Sequence, residues 1–273
     1  MIRTVDLHTH SRVSDGQYHP AELVSLAKQK GIQVLALTDH DNIDGVVEAS
    51  CAGQNLGVQV VPGVELSAKE YNTFHILGYG KFTQDSPLAK LCNRSREGRR
   101  GKALRIIDYL AEKGMYITME EVRAVAGEGS IGRPHFARLM LEKKYISNYR
   151  DAFNLYLDTE EYHDCVEIEK PPVRACIEAI KTSGGKVALA HPYQIGIDND
   201  EMDMLVHELV SYGLDAIESY YPKHTPEQTG FYLELTKKYG LYITGGSDFH
   251  GERVKPEIEL AKLELELDWL LEI

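Results

Sequence analysis

The sequence is poor in the features that mark disulfide-rich, membrane-spanning and secreted proteins. Its 273 residues include only four cysteines, which lie far apart and form no C-x-x-C pair. They predict neither a disulfide framework nor a zinc–thiolate site, and we expect reduced thiols. No apolar run reaches the length of about 20 residues that a membrane helix needs, and residues 1–15 lack the apolar core of a signal peptide. We therefore expect a cytoplasmic protein in which any metal is held by nitrogen and oxygen.

Positive charge is also scarce. The chain has 30 lysines and arginines against 42 aspartates and glutamates, and its formal net charge at pH 7 is −12. Such a surface repels the nucleic-acid backbone at long range, so we expect no stable binding to duplex nucleic acid. A phosphate substrate is still allowed, because bound metal ions can invert the electric field locally.

Proline, glycine and short apolar runs predict alternating strands and helices in the first third of the chain. Pro20 opens a helix that Gly31 closes, and the apolar run 32–37 suits a buried parallel strand. The alternation continues to Tyr79 and resumes in the last third, which indicates an α/β fold. The tail, residues 257–273, is acidic and apolar by turns and fits a strand and a helix equally well.

The middle of the chain has a helical pattern instead. No convincing strand lies between Tyr79 and Lys186, whereas Thr118-Met119-Glu120-Glu121 fits a capping box at the start of a helix. We predict that a helical lobe, residues 85–164, is inserted into an α/β domain formed by residues 1–84 and 165–273.

Histidines and carboxylates recur where the predicted strands end. His8 and His10 are two residues apart on the first strand, so their imidazoles point the same way, as a metal ion requires. The carboxyl ends of parallel strands converge on one face, where active sites form, and scattered surface histidines would not keep to that position. The residues in this pattern that can bind a metal are His8, His10, Asp15, His40, Glu65, His75, His191, Asp248 and His250.

The motifs that contain these residues resemble those of the PHP (polymerase and histidinol phosphatase) superfamily, in order and over essentially the whole chain. The matching segments are Asp6-Leu7-His8-Thr9-His10, Ser14-Asp15-Gly16, Leu37-Thr38-Asp39-His40-Asp41, Pro62-Gly63-Val64-Glu65, His75-Ile76-Leu77-Gly78-Tyr79, Ala190-His191-Pro192 and Gly246-Ser247-Asp248-Phe249-His250. The resemblance implies a distorted (β/α)7 barrel with an inserted helical lobe.

The resemblance also implies sites for up to three divalent metal ions, with Glu65 shared between two of them. Imidazole and carboxylate ligands suit Mn, Fe or Zn better than Ca or Mg. The implied ligand sets are His8, His10, Glu65 and Asp248 for one ion, Glu65, His75 and His191 for a second, and Asp15, His40 and His250 for a third.

The activity that the resemblance implies is phosphate-ester hydrolysis. A metal-activated hydroxide would attack phosphorus without a covalent phospho-enzyme intermediate. The segments Gly132-Arg133-Pro134-His135 and 220–228 resemble a branch that contains nucleoside 3′,5′-bisphosphate phosphatases and short-RNA 5′-exonucleases. We therefore expect a small phosphorylated nucleotide, or the 5′ end of a short RNA, as the substrate. The expected substrate contacts are Arg133, His135, His224 and Arg99.

Two other functions fit the same superfamily. A histidinol-phosphate phosphatase is disfavoured by the predicted helical lobe and by the segment from Arg133 to His135. A non-catalytic PHP module that only binds is disfavoured because a ligand-capable side chain fills every position that the family uses.

Overall fold

The computed structural model describes residues 2–127, 131–166 and 170–271. The chain divides into two compact units. The larger unit consists of the residues up to Asn93 and from Pro171 onward, and the smaller unit covers residues 94–170.

Short, largely buried strands form the sheet of the larger unit. The described strands are β1 (Ile2–Thr9), β2 (Val34–Leu37), β3 (Gln59–Ser67), β4 (His75–Tyr79), β5 (Lys186–Leu189), β6 (Ala216–Tyr220), β7 (Tyr242–Gly245) and β8 (Leu263–Glu266).

The helices alternate with the strands at both ends of the chain and follow one another in its middle. They are α1 (Pro20–Gln29), α2 (Val46–Leu56), α3 (Pro87–Glu112), α4 (Met119–Ala126), α5 (Arg133–Glu142), α6 (Tyr149–Ala152), α7 (Glu160–Cys165), α8 (Val173–Thr182), α9 (Asn199–Tyr212), α10 (Pro226–Tyr239) and α11 (Asp268–Leu271). A π-helix, Phe153–Leu157, follows α6, and a 3₁₀-helix, Pro192–Ile195, follows β5. Among the described residues, no helix combines the length and apolar composition that a membrane span requires.

The strand order of the sheet is β7-β6-β5-β4-β3-β2-β1-β8. As predicted, β1, β2 and β3 are parallel, and β5, β6 and β7 are parallel as well. The strand β4 runs antiparallel to both of its neighbours, and β8 runs antiparallel to β1. The α/β barrel class is confirmed as a nearly closed mixed barrel of eight strands, one more than the resemblance implied.

The chain that follows β7 closes the barrel against β1. The backbone N–H of Asp248 donates to the carbonyl of His8 over 2.8 Å, and the N–H of His10 donates to the carbonyl of Phe249 over 2.9 Å. Gly246 makes this approach possible, because a Cβ there would lie 2.4 Å from the Cβ of His8. The closure brings the segment that contains Asp248 and His250 beside the carboxyl end of β1.

Apolar side chains from strands far apart in the strand order meet in one cluster. Leu7 of β1, Leu77 of β4 and Ala216 of β6 belong to it, which requires the sheet to curl. The tail contributes both elements that its sequence allowed: β8 supplies Leu265 to the same cluster, and α11 supplies Trp269. The buried apolar surface therefore holds the tail against the barrel.

The smaller unit has its own apolar core, which includes Leu110, Phe136 and Met140. The capping box at the start of α4 is confirmed, because Thr118 and Glu121 exchange side-chain and backbone hydrogen bonds of 3.2 and 2.8 Å. Within this unit, all the described regular elements are helical.

Candidate metal centre

The two histidines of the first motif face two carboxylates from other elements. The Nε2 atoms of His8 and His10 lie 3.3 and 3.2 Å from Oε2 of Glu65. The same two atoms lie 3.6 and 3.3 Å from Oδ1 of Asp248. All four residues are buried, and their ligand atoms form one compact group that could hold an ion.

Glu65 is the centre of a second group. Its Oε1 lies 2.8 Å from Nδ1 of His75 and 2.9 Å from Nε2 of His191, while its Oε2 lies 3.0 Å from Nδ1 of His40. The predicted set of Glu65, His75 and His191 is thus brought together. His40 forms a compact group with Glu65 and His75.

A third group surrounds Asp15, in the loop after β1. Its carboxylate lies 3.3 Å from Nε2 of His250, 3.8 Å from Nδ1 of His10 and 3.9 Å from Nε2 of His40. The rings of His10 and His250 are stacked with centroids 4.0 Å apart. The structure adds His10 to the set that the sequence predicted for this position.

The donor atoms of these groups fit divalent ions. The buried atoms without a hydrogen-bond partner in the described parts of the chain include Nε2 of His8, both ring nitrogens of His10, Nδ1 of His40 and Oε2 of Glu65. Buried polar atoms are normally satisfied, so several such atoms in one place indicate an ion between them. The nitrogen and oxygen donors suit a transition metal.

Two of these residues have left-handed backbones. His191 has φ 24° and Asp248 has φ 57°, a conformation that L-residues rarely adopt. Such strain costs on the order of 1–3 kcal/mol and persists where the surrounding structure imposes it, often at functional sites.

The charges of the cluster are set by burial and mutual contact. Burial would raise the pKa of Glu65, but the imidazoles of His40, His75 and His8 hold it well below its usual range. Burial lowers the pKa of His75 to about 4, so this ring is neutral near pH 7, as a metal ligand must be. Burial also opposes the charged form of His10, but contacts with Asp248 and Glu65 outweigh it and raise its pKa to about 9.

None of the four expected substrate contacts belongs to the three donor groups found among the described residues. Arg133 and His135 belong to the smaller unit, where Arg133 Nη1 donates to the Asp158 carboxylate over 2.5 Å and His135 Nδ1 accepts the Gly132 N–H over 2.9 Å. Arg99 lies on α3, and its side chain is outside the described residues. His224, in the larger unit, places Nδ1 3.1 Å from the carbonyl of Ser219. Their contact with a substrate stays a prediction.

Three residues that support the cluster were not identified from the sequence. Glu218 Oε1 lies 3.0 Å from Nδ1 of His8. Lys255 Nζ and the hydroxyl of Tyr221 lie 2.7 and 3.1 Å from Oδ2 of Asp248. Of the three, only Glu218 had a signal in the sequence, because it is a single carboxylate in a strand of otherwise uncharged residues.

Comparison with known proteins identifies the family of this chain. Residues 6–243 match the PHP domain family, and the chain belongs to that family. A 5′-3′ exoribonuclease from Haemophilus influenzae is 32% identical over 92% of this chain and 91% of its own length. A phosphoribosyl 1,2-cyclic phosphate 1,2-diphosphodiesterase from Eggerthella lenta is 33% identical over 90% and 94%. A 3′,5′-nucleoside bisphosphate phosphatase from Chromobacterium violaceum is 30% identical over 91% and 88%.

A solved structure is similar over almost the entire chain. It is a predicted metal-dependent phosphoesterase from Bifidobacterium adolescentis, with a TM-score of 0.83, 27% identity, and coverage of 99% of this chain and 95% of its own. The sequence-based prediction of a hydrolase in the metal-dependent phosphoesterase class is confirmed.

Proposed function

We propose that this protein hydrolyses a phosphate ester of a small nucleotide, or the 5′-terminal ester of a short RNA, at the cluster centred on Glu65. The observation that carries the proposal is the arrangement of three overlapping donor groups, which share His10, His40 and Glu65. Two ions that share a carboxylate can hold both the attacking and the leaving oxygen of an in-line displacement.

We assign the nine predicted residues as ligands of up to three divalent ions, with Mn, Fe or Zn as the candidates. Such ions supply a Lewis acid and activate water near neutral pH. The protein itself would position the ligand atoms. Glu65 belongs to two of the three donor groups, and the burial of His8, His10 and His191 fixes the positions of their rings. With only three carboxylates among the nine donors, the loaded pocket is positive and attracts a phosphate.

We propose that four residues contact the substrate and determine which substrate binds: Arg133, His135, His224 and Arg99. A guanidinium matches phosphate oxygens in a bidentate manner, and Arg133 and His135 lie in the first turn of α5, where a helix favours anions. The pairing of Arg133 with Asp158 keeps that guanidinium from moving freely.

The experiment compares four substrates with Mn²⁺ added. They are adenosine 3′,5′-bisphosphate, a 5′-phosphorylated RNA oligomer, phosphoribosyl 1,2-cyclic phosphate and histidinol phosphate. We expect turnover of one of the first two. Turnover of histidinol phosphate alone would favour a histidinol-phosphate phosphatase, and turnover of none would overturn the proposal.

Three variants locate the activity. Asp248→Ala and His10→Ala should abolish it in folded protein, because each removes a proposed ligand; full activity in either would refute the ligand assignment. Arg133→Ala should mainly raise KM. An unchanged KM would remove Arg133 from the substrate site.

A further inference from the structure

Glu218 links two separate parts of the candidate metal centre. It lies on β6 and is fully buried. Its Oε1 is 3.0 Å from Nδ1 of His8, at the end of β1. Its Oε2 accepts the backbone N–H of His191, after β5, over 2.6 Å. One carboxylate therefore contacts both His8 and His191, while the Nε2 atoms of their rings face Glu65.

The contact with His8 selects which ring nitrogen is free. Nε2 of His8 lies 3.3 Å from Glu65 and 3.6 Å from Asp248, so it is the nitrogen that faces the donor group. To bind a cation there, the ring must carry its proton on Nδ1. A carboxylate at Nδ1 accepts that proton in a hydrogen bond, and therefore fixes both the tautomer and the ring plane.

The contact with His191 holds a strained backbone. His191 has φ 24°, and its N–H is tied to Glu218 rather than to a neighbouring strand. This geometry places Nε2 of His191 2.9 Å from Oε1 of Glu65. Without the anchor, the peptide would relax to a commoner conformation and the ring would move.

Both partners of Glu218 are thus donors, and only a carboxylate can accept from both. A glutamine has the same shape but carries one acceptor and one NH₂ group. In either orientation of the amide, the NH₂ group would face a donor: the N–H of His191 or the Nδ1–H of His8.

We propose that Glu218 is a positioning residue that sets the tautomer of His8 and the backbone of His191, so that both present Nε2 to a metal ion. The inference rests on the proposed metal-dependent function, but its test uses metal binding rather than turnover.

The first test compares Glu218→Gln with a matched control, Asp215→Asn. Asp215 precedes the same strand and accepts from Lys181 and Val187, and none of its hydrogen bonds within the described parts of the chain is with a proposed ligand. Mn²⁺ affinity is measured by calorimetry on chelator-treated protein whose folding is checked by circular dichroism.

We expect affinity to fall about 10- to 100-fold in Glu218→Gln, the usual cost of losing an outer contact of a metal ligand, and to stay unchanged in Asp215→Asn. Wild-type affinity in Glu218→Gln would overturn the inference, and so would an equal loss in both variants.

The second test needs no variant at Glu218. Long-range ¹H–¹⁵N spectra of the Zn²⁺-loaded wild-type protein, with the His8 signal assigned by His8→Gln, should show a proton on Nδ1 and the metal on Nε2. A metal on Nδ1 of His8 would overturn the inference even if Glu218→Gln does not fold. A wild-type protein that binds metal in this way but hydrolyses none of the four substrates would refute the proposed function and leave the role of Glu218 intact.

Discussion

Lys255 donates to Oδ2 of Asp248 over 2.7 Å, so the two oxygens of that carboxylate have different partners. The other oxygen, Oδ1, is the one that faces Nε2 of His8 and His10. Tyr221 reaches the same Oδ2 from another side. The lysine thus orients a proposed ligand without occupying the position of the ion.

Replacing Lys255 with methionine should weaken metal binding. The change keeps the length and apolar stem of the side chain but removes the donor that fixes Asp248, and we expect affinity for Mn²⁺ to fall about 10-fold, at the lower end for such contacts because Tyr221 remains. Calorimetric titration of the chelator-treated variant measures this. Lys223→Met is the matched control, since Lys223 pairs with Glu257; wild-type affinity in Lys255→Met would contradict the prediction.

Metal binding should release protons near neutral pH. In the metal-free protein the pKa of His10 is raised from 6.5 to about 9, so the ring is protonated between these values and must lose its proton to become a ligand. Affinity should therefore rise with pH over that window, by up to about tenfold per pH unit for each proton released. Calorimetry in two buffers with different ionisation enthalpies counts the protons. Heats that do not depend on the buffer would contradict the raised pKa.

The close approach of Gly246 to β1 predicts a large effect from a single methyl group. In Gly246→Ala the new Cβ would lie 2.4 Å from the Cβ and 2.5 Å from the backbone nitrogen of His8. We expect the free energy of unfolding of the metal-free protein to fall by about 1–3 kcal/mol, as for other overpacked sites. Denaturant titration measures it.

Gly230 offers a control for the same substitution. It lies on α10, and nothing among the described atoms comes within 4 Å of an added Cβ. Gly230→Ala should stabilise the protein by about 1 kcal/mol, because alanine is the better helix former. Equal changes in the free energy of unfolding for Gly246→Ala and Gly230→Ala would show that the approach of residue 246 to His8 is not tight.

The cysteines should divide into two reactive and two protected thiols. Cys51 and Cys165 are exposed, whereas Cys92 and Cys176 are buried, and burial raises the pKa of Cys176 to about 12. Since the thiolate is the reactive form, Ellman's reagent should titrate two thiols in the native protein and all four in denaturant. Fewer than four in denaturant would contradict the prediction of reduced cysteines.

Much of the barrel was predictable because its local signals agree with its tertiary structure. Pro20 begins α1 as predicted, and Gly57 ends α2 in the left-handed conformation, with φ 68°. The antiparallel direction of β4 was not predicted, since the direction of a strand depends on its partners. The tail remained ambiguous because β8 is only four residues long and is followed at once by α11.

The proximity of the proposed ligands was predictable for a different reason. Parallel strands bring their carboxyl ends together, so His8, His40 and Glu65 were expected to lie close together, and both histidines do contact Glu65. The partners of Glu218 and Lys255 could not be read from the sequence. Glu218 meets His8 across 210 positions of the chain, and only the closed barrel brings such residues into contact.

The closing hydrogen bonds, from Asp248 to His8 and from His10 to Phe249, have a consequence for biosynthesis. A ribosome that has made β1 to β6 has produced His8, His10, Glu65 and His191, but not the segment after β7 that completes two of the three donor groups. A nascent chain at that stage contains all the members of only one group, His40, Glu65 and His75. The other two groups exist only in the closed barrel, so ions bound there would stabilise the closed state over the open one.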